Sequence, residues 1–410
     1  VIPRTLESTV RRALRTFPVA LVTGPRQSGK TTLLRERWGA SHRFVSLEDP
    51  DVRERALSDP RAFLRWAPPP VFLDEIQYAP SLLPYVKTLV DEDRRPGRWL
   101  LSGSQSFGLM QGVTESLAGR IAVLALLPLS LAEATGRPGG EKPIGRILKE
   151  LFRPGRPRAS RRRTRIELAD WLLRGGYPEI RANPRVDRRI WCAGYVQTYL
   201  ERDVRQVVRI GDLRTFQTFL RMAAARTGQI LSYADLARDV GVSPTTIRSW
   251  LSVLEASYQI LLLPPHHANL GKRLVKSPKI YFLDTGLASY LCGLHDPEAL
   301  LHGPMAGALF ETAVIAEWAK AFLHRGETPP LYFWRSSDGL EVDLLVERDG
   351  RLYPMEAKLA STVRPQHGDS LRRWIERARH RVPIGLVVAD GPDRAPLAPG
   401  IETVSWSGLV

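Results

Sequence analysis

Short apolar, β-forming runs recur at residues 19–22, 43–47, 71–73, 98–102 and 121–127, and each gives way to a polar helical pattern or a turn. Five such runs predict an open parallel α/β sheet. Ligands on sheets of this kind sit at the carboxyl ends of the strands, so the residues just past each run are where chemistry is expected. Helical periodicity then fills 166–226, broken at Gly175-Gly176-Tyr177-Pro178, and predicts a small helical lid over a nucleotide. In that lid the Gly-Gly-x-Pro turn, with Pro178, either meets adenine or merely ends a helix. From residue 231 the pattern changes to a short amphipathic helix at 233–240, a Gly241-Val242-Ser243 turn and a second helix at 244–255 with Ser243 as its N-cap. This is helix-turn-helix spacing, and apolar runs at 260–263 and 279–283 predict a wing beside it. The C-terminal part reads helix (306–322), strand (331–334), strand (340–346), an Asp349-Gly350 turn, strand (352–357), helix (369–379) and strand (384–388).

The first run leads into Gly24-Pro25-Arg26-Gln27-Ser28-Gly29-Lys30-Thr31, which fits G-x-x-x-x-G-K-[ST] in the strand, glycine loop, helix context that a phosphate-binding loop requires. Backbone N–H groups of the loop would cradle the β-phosphate, Lys30 would reach the β and γ oxygens, and the Thr31 hydroxyl would hold Mg²⁺, with Thr32 completing the nucleotide-binding set. The helix starting near Thr31 adds the positive end of its dipole. The third run ends in Asp74-Glu75. Asp74 would bind Mg²⁺, and Glu75 would orient and deprotonate the water that attacks the γ-phosphate. Strand-terminal acids also serve as helix N-caps, but after a phosphate loop the ATPase reading dominates. No acceptor site is evident, so hydrolysis is expected rather than transfer. The fourth run ends in Ser104-Gln105, where either residue senses the γ-phosphate or simply forms a turn. Arg120, just before the fifth run, either reaches a γ-phosphate in a neighbouring subunit or makes a structural ion pair.

Composition changes the picture at the level of partners. At 410 residues two or three domains are expected, and a 43% hydrophobic fraction is enough to fold them. The formal net charge of +16 points to an acidic partner, most naturally a nucleic-acid backbone, although an arginine-rich background would give the same sign. Cys192 and Cys292 are the only cysteines, which excludes a disulfide scaffold and a Cys-rich zinc site. No apolar stretch is long enough to span a bilayer and no signal-peptide pattern is seen, so a cytoplasmic protein is expected. Residues 137–165 are rich in Gly, Pro and Arg, with seven arginines from Arg153 to Arg165, and predict a mobile basic loop that contacts phosphates through Arg161, Arg162 and Arg163 or is simply solvated. The second helix of the helix-turn-helix carries Thr245, Thr246, Arg248 and Ser249, and the wing carries Lys272, Arg273, Lys276 and Lys279. That set suits a DNA groove and its phosphates, while a protein-packing role for the winged helix is the alternative.

A third constellation lies in the C-terminal strands. Asp343, then Glu356 and Lys358 after a hairpin, fall at neighbouring strand positions, with Glu356 and Lys358 on one face. Two carboxylates converging there would bind Mg²⁺, with Lys358 steering the water that attacks a phosphodiester and Glu311 completing the site from the preceding helix. Simple cross-strand charge pairing is the rival reading.

Gly24 to Thr31, Asp74-Glu75, residues 117–121, Gly175 to Pro178, the 199–204 segment Tyr-Leu-Glu-Arg-Asp-Val, and residues 269–279 and 282–286 together resemble the prokaryotic AAA-superfamily ATPases that carry a C-terminal domain of unknown function. The resemblance covers nearly the whole chain. It implies a P-loop ATPase core at 1–135, a basic insertion at 136–165, a helical lid at 166–225, a winged helix at 226–295 and a restriction-endonuclease-like α/β domain at 300–410. It also implies ATP as nucleotide and Mg²⁺ as its ion, with Glu311, Asp343, Glu356 and Lys358 matching the nuclease-like pattern. The function expected is that of a homo-oligomeric ATPase acting on DNA. The alternatives are a nucleotide-regulated protein-interaction switch and an ATP-gated Mg²⁺-dependent nuclease.

Overall fold

A computed structural model describes residues 2–104, 113, 115–138, 140, 142–155, 167–200 (not the side chains of 199 and 200), 213–267, 277–360, 362–378, 384–391 and 394–409. The chain forms two compact units, the first made of Val1–Leu129, Ala256–Tyr258 and Leu323–Glu327, the second of Ser130–Glu255, Gln259–Phe322 and Thr328–Val410.

The first unit contains α1 (Leu6–Thr16), β1 (Val19–Thr23), α2 (Lys30–Trp38), β2 (Arg43–Ser46), α3 (Pro50–Ser58), α4 (Pro60–Trp66), β3 (Val71–Asp74), α5 (Leu82–Glu92), β4 (Trp99–Ser102) and β5 (Ile121–Ala125). The strands form one parallel sheet in the order β2-β3-β4-β1-β5. Strands buried on both faces are largely apolar, and β1 is so from Val19 to Val22: Val19 and Leu21 enter a core with Leu73, Leu101 and the α5 residues Leu82, Leu83 and Val86, while Ala20 and Val22 enter another with Leu6, Val10, Leu33 and Leu34. Each fully buried Leu or Val is worth about 1.5–3 kcal/mol of transfer free energy. Between β2 and β3 the chain breaks into two short helices because Pro60 opens α4 and Asp59 caps it, accepting the Ala62 N–H at 2.9 Å. All five expected strands are present, each within a residue or two of the expected bounds.

In the second unit α6 (Leu131–Ala134), α7 (Ile144–Leu151), α8 (Leu168–Arg174), α9 (Pro178–Ala182), α10 (Arg188–Tyr195) and α11 (Leu213–Ala225) precede a helix-turn-helix, α12 (Tyr233–Val240) and α13 (Pro244–Ala256). Next come β6 (Ile260–Leu263) and β7 (Lys279–Phe282), an antiparallel pair, and then α14 (Thr285–Leu291), α15 (Pro297–His302) and the long α16 (Ala306–Leu323). The C-terminal sheet holds β8 (Leu331–Arg335), β9 (Glu341–Arg348), β10 (Arg351–Lys358), β11 (Gly385–Ala389), β12 (Arg394–Ala398) and β13 (Ile401–Ser405), with α17 (Asp369–Arg377) between β10 and β11. Its order is β12-β13-β11-β10-β9-β8. The β9–β10 hairpin turns through Asp349 and Gly350, both at positive φ (52° and 70°), the two-residue geometry that matches strand twist. β12 and β13 were not expected from the sequence, because Arg394, Pro396, Gly400 and Glu402 interrupt any apolar run. β12 is an edge strand, where Pro396 is tolerated, and Arg394 is neutralised by a contact with Glu402 while donating to the Leu151 carbonyl at 2.8 Å.

Two glycine-bearing segments that stand out in the sequence dock on each other in this unit. Gly175 has φ +63°, and a Cβ there would lie 2.1 Å from the Asp284 carboxylate; a Cβ on Gly286 would lie 2.6 Å from the Arg174 carbonyl carbon. Asp284 accepts from Gly176 N–H at 2.7 Å and caps α14 through Leu287 N–H at 3.0 Å. The Gly-Gly-Tyr-Pro turn and the 282–286 segment are therefore two halves of one clasp, with Pro178 opening α9.

Candidate functional site

The glycine loop leaves the carboxyl end of β1 in a shape that only its own residues permit. Gly24 has φ +142°, and a Cβ there would lie 2.1 Å from the Leu126 carbonyl oxygen; Gly29 has φ +90° and stands at the start of α2. Gln27 between them also takes positive φ. Pro25 and Ser28 are buried, Arg26 is half-buried and Gln27 is exposed. Lys30 is 4% exposed and donates to the carbonyls of Gly24 (3.2 Å) and Pro25 (2.8 Å), so the loop is wrapped about its ammonium. The Arg4 guanidinium braces the loop from behind, donating to the Ser28 carbonyl at 2.8 Å.

Thr31, on the first turn of α2, donates its hydroxyl to Asp74 at 2.9 Å, joining the loop to the end of β3 across the sheet. Ser102, at the end of β4, donates to the same carboxylate. Burial raises the Asp74 pKa, the Ser102 and Thr31 hydroxyls pull it back down, the neighbouring Glu75 charge raises it and Lys30 lowers it. Glu75 itself sits in the left-handed region (φ 56°, ψ 49°), and its carboxylate accepts from the Gln77 side-chain amide. Ser104 lies just past β4 at the same edge, buried, with no hydrogen-bond partner for its hydroxyl among the described residues. Thr32 points outward on α2 and is exposed. Lys30, Thr31, Asp74, Glu75 and Ser104 are thus brought to one edge. Ser102 and Gln77 were missed by sequence reasoning, although a hydroxyl at the carboxyl end of a β-run and an amide two residues past Glu75 were visible signals. Hydroxyl and carboxylate oxygens from Thr31 and Asp74 form a hard donor set that suits Mg²⁺, and the orphaned Ser104 hydroxyl beside them suits a further polar ligand.

Arg120 lies elsewhere. In a parallel sheet the residue before β5 stands at the amino edge, next to the start of β1 rather than its loop, and Val19 pairs with Ile121 there. Its guanidinium holds Asp91 with bonds of 2.6 and 3.1 Å, the ion-pair arrangement of the two that the sequence allowed.

In the second unit the C-terminal carboxylates converge. Among the described residues no group of three or more His, Cys, Asp or Glu is arranged to hold a metal ion. Asp343 accepts the Ala357 N–H at 3.0 Å, and Lys358 lies 2.7 Å from Glu356 and 3.9 Å from Asp343. Glu311, on α16, is taken by two residues of β7: the Lys279 ammonium at 3.1 Å and the Tyr281 hydroxyl. Burial first and the Asp343 charge second push Glu311 up to about 7 and Glu356 up to about 8, against the opposing pull of Lys279 and Lys358 respectively. On the helix-turn-helix, Ser243 accepts the Thr246 N–H at 3.0 Å as expected of a cap, Thr245 and Arg248 are exposed, Ser249 is half-buried, and the Arg248 guanidinium stacks over the Tyr233 ring at 5.0 Å. Arg161, Arg162, Arg163, Lys272, Arg273, Lys276, Gln105 and the 201–204 segment lie outside the described residues.

Three family models match the chain: an AAA domain over residues 16–135, a domain of unknown function (DUF8612) over 165–298 and a domain of unknown function (DUF4143) over 306–408. The uncharacterized protein Rv2008c of Mycobacterium tuberculosis is 36% identical over 360 residues, covering 88% of this chain and 74% of the relative. The uncharacterized protein Mb2031c of Mycobacterium bovis matches with the same figures. Among solved structures, the Walker-type ATPase PABY2304 of Pyrococcus abyssi is similar at 16% identity and a TM-score of 0.45, covering 71% of this chain and 96% of that one.

Proposed function

The chain belongs to the family of the mycobacterial protein Rv2008c and is an AAA-domain ATP-binding protein, and from that premise we propose that it hydrolyses ATP and couples the nucleotide state to action on DNA. The observation that carries the catalytic part is the meeting of Thr31 and Asp74 at 2.9 Å, beside the loop that surrounds Lys30. Thr31 and Asp74 would hold Mg²⁺, which when bound neutralises charge on the β and γ oxygens. Lys30 binds those oxygens, the loop N–H groups orient them, and Glu75 accepts the proton of the attacking water. The DNA part is supported by the +16 charge and by the exposed Thr245 and Arg248 on α13. A homo-oligomer belongs to the same proposal, with Arg120 acting on a neighbour's nucleotide only by giving up Asp91. Lys30→Ala is expected to abolish ATP turnover, and turnover of the unaltered chain is expected to rise with added DNA at low salt. Persistent turnover in Lys30→Ala rejects the hydrolytic site, and turnover indifferent to DNA rejects that partner.

One observation favours a second reading, a nucleotide-regulated interaction switch: the Glu75 carboxylate is already engaged by Gln77, which restrains it as a base. In such a switch Glu75→Gln leaves function intact, whereas the hydrolytic reading requires its loss. The nuclease alternative rests on Asp343, Glu356 and Lys358, with Lys358 2.7 Å from Glu356 and 3.9 Å from Asp343.

A further inference from the structure

The glycine loop is held from behind as well as from within. From within, the Lys30 ammonium holds the Gly24 and Pro25 carbonyls at 3.2 and 2.8 Å. Binding phosphate oxygens with that same ammonium means giving up both bonds, so something else must then keep the loop in shape. The Arg4 guanidinium is placed to do so. It is 6% exposed, precedes α1, and donates through one nitrogen to the Ser28 carbonyl at 2.8 Å and through the other to the Leu127 carbonyl at 2.5 Å. A guanidinium is costly to bury and settles only where fixed acceptors meet it, so the two carbonyls are tied to each other across it.

Peptide geometry turns this brace into an aiming device. In a trans peptide the carbonyl and the N–H of the next residue point in opposite directions. Holding the Ser28 carbonyl on Arg4 therefore directs the Gly29 N–H away from Arg4, at the start of α2, where an anion meets a helix N-terminus. The other anchor is fixed in the same way. Just past β5, the peptide joining Leu126 to Leu127 puts its carbonyl against Gly24, where a Cβ would lie 2.1 Å from that oxygen, and its N–H on His324 Nε2 at 3.1 Å. His324, buried just past the end of α16, is pinned in turn by α1, where the Thr9 hydroxyl donates to its carbonyl at 3.0 Å. Arg4 and His324 both fall outside residues 16–135, the span of the AAA match, yet both belong to the same compact unit as the loop.

We propose that Arg4 is a positioning residue for nucleotide binding, aiming the Gly29 N–H at the β-phosphate through the Ser28 carbonyl, and that His324 fixes the peptide beside which Arg4 is anchored. The proposal rests on the reading of the loop as an ATP site. A donor that serves the β-phosphate acts in the ground state and the transition state alike, and for ADP as well as ATP. Dissociation constants of Mg²⁺·ATP and Mg²⁺·ADP for the full chain are measured by displacement of a fluorescent nucleotide, beside steady-state turnover. Arg4→Ala is expected to weaken both nucleotides about tenfold and to raise KM to match, with kcat at saturation changed by less than about twofold. A role in stability alone would reduce the active fraction, lowering kcat at unchanged KM, and that result overturns the proposal. His324→Ala is expected to weaken both nucleotides about threefold, and His324→Gln, whose amide oxygen can accept the Leu127 N–H, to recover most of that loss. Should Arg4→Ala fail to fold by circular dichroism, the His324 pair decides: unchanged affinity in His324→Ala, or equal losses in the two variants, overturns the proposal. An unaltered chain that binds no ATP removes the nucleotide reading and the positioning role together, whereas equal ATP affinity in the unaltered chain and Arg4→Ala removes the positioning role alone.

Discussion

Glu75 carries two separate signals, one in its backbone and one in its side chain. Left-handed backbone costs a non-glycine residue about 1–2 kcal/mol, so φ 56° persists only because the surrounding structure requires it. The consequence is that the carboxylate turns back within reach of Gln77 instead of continuing the strand's alternation. An amide N–H donated to a carboxylate occupies one of its oxygens and fixes its orientation, which opposes service as a general base. Gln77→Ala is therefore expected to raise kcat for ATP hydrolysis about 2–5-fold with KM little changed, because Gln77 contacts the base and none of the loop residues. Steady-state kinetics decide the point, and a variant that shifts KM while leaving kcat alone would mean that Gln77 serves nucleotide binding instead. Ser102 belongs to the same class of residue: its hydroxyl opposes the rise that burial imposes on the Asp74 pKa, a role that depends on which strand lies beside β3 and not on any local pattern.

Among the described elements, α8 and α14 cross at close quarters. Gly286 lies against the Arg174 backbone, where the nearest atoms are main chain and cannot move aside as a side-chain tip would. Gly286→Ala is expected to cost about 1–3 kcal/mol, the usual range for overpacking, measured as a lower urea midpoint at unchanged slope. Unchanged stability would mean that the two helices part easily. The crossing also explains what the sequence could reveal of this chain. Strands β1 to β5 and β8 to β11 were legible because each carries a short apolar run bounded by polar or turn residues, and the phosphate loop was legible because its chemistry is contiguous. The Gly175 and Gly286 motifs were visible, but their meaning was not, since it lies in a contact between residues over a hundred positions apart. Lys279 and Tyr281 were hidden for the same reason: they read as ends of a wing strand, and only the packing of β7 on α16 makes them partners of Glu311. Arg120 was the opposite case. Its place before a parallel strand already assigns it to the edge away from the loop.

At the scale of the whole chain the question is what an excess of sixteen positive charges does. Some cations are paired within the fold: Arg181 with Asp170 at 2.6 Å, Arg120 with Asp91 and Arg394 with Glu402, and paired guanidiniums of this kind attract little from solution. Each such pair also consumes a carboxylate, so pairing leaves the net excess unchanged and concentrates it on the unpaired cations. Those offer phosphate contacts whose formation releases condensed counterions, which gives DNA binding a steep dependence on salt. For a footprint of about five phosphates the slope of log K against log salt is near −4.5, a loss of roughly 500-fold in affinity between 50 and 200 mM salt. Arg248 is exposed and its guanidinium is held over Tyr233, so it is ordered before any ligand arrives and loses little freedom on binding. If it contacts a phosphate, Arg248→Ala should make the slope shallower by about 1, with a uniform weakening across DNA sequences. If it reads a base edge, affinity for preferred sequences should fall by about 1–3 kcal/mol with less change in slope. Fluorescence anisotropy on a labelled duplex across a salt series separates the two, and a slope near zero in the unaltered chain would assign the positive charge to some role other than holding nucleic acid.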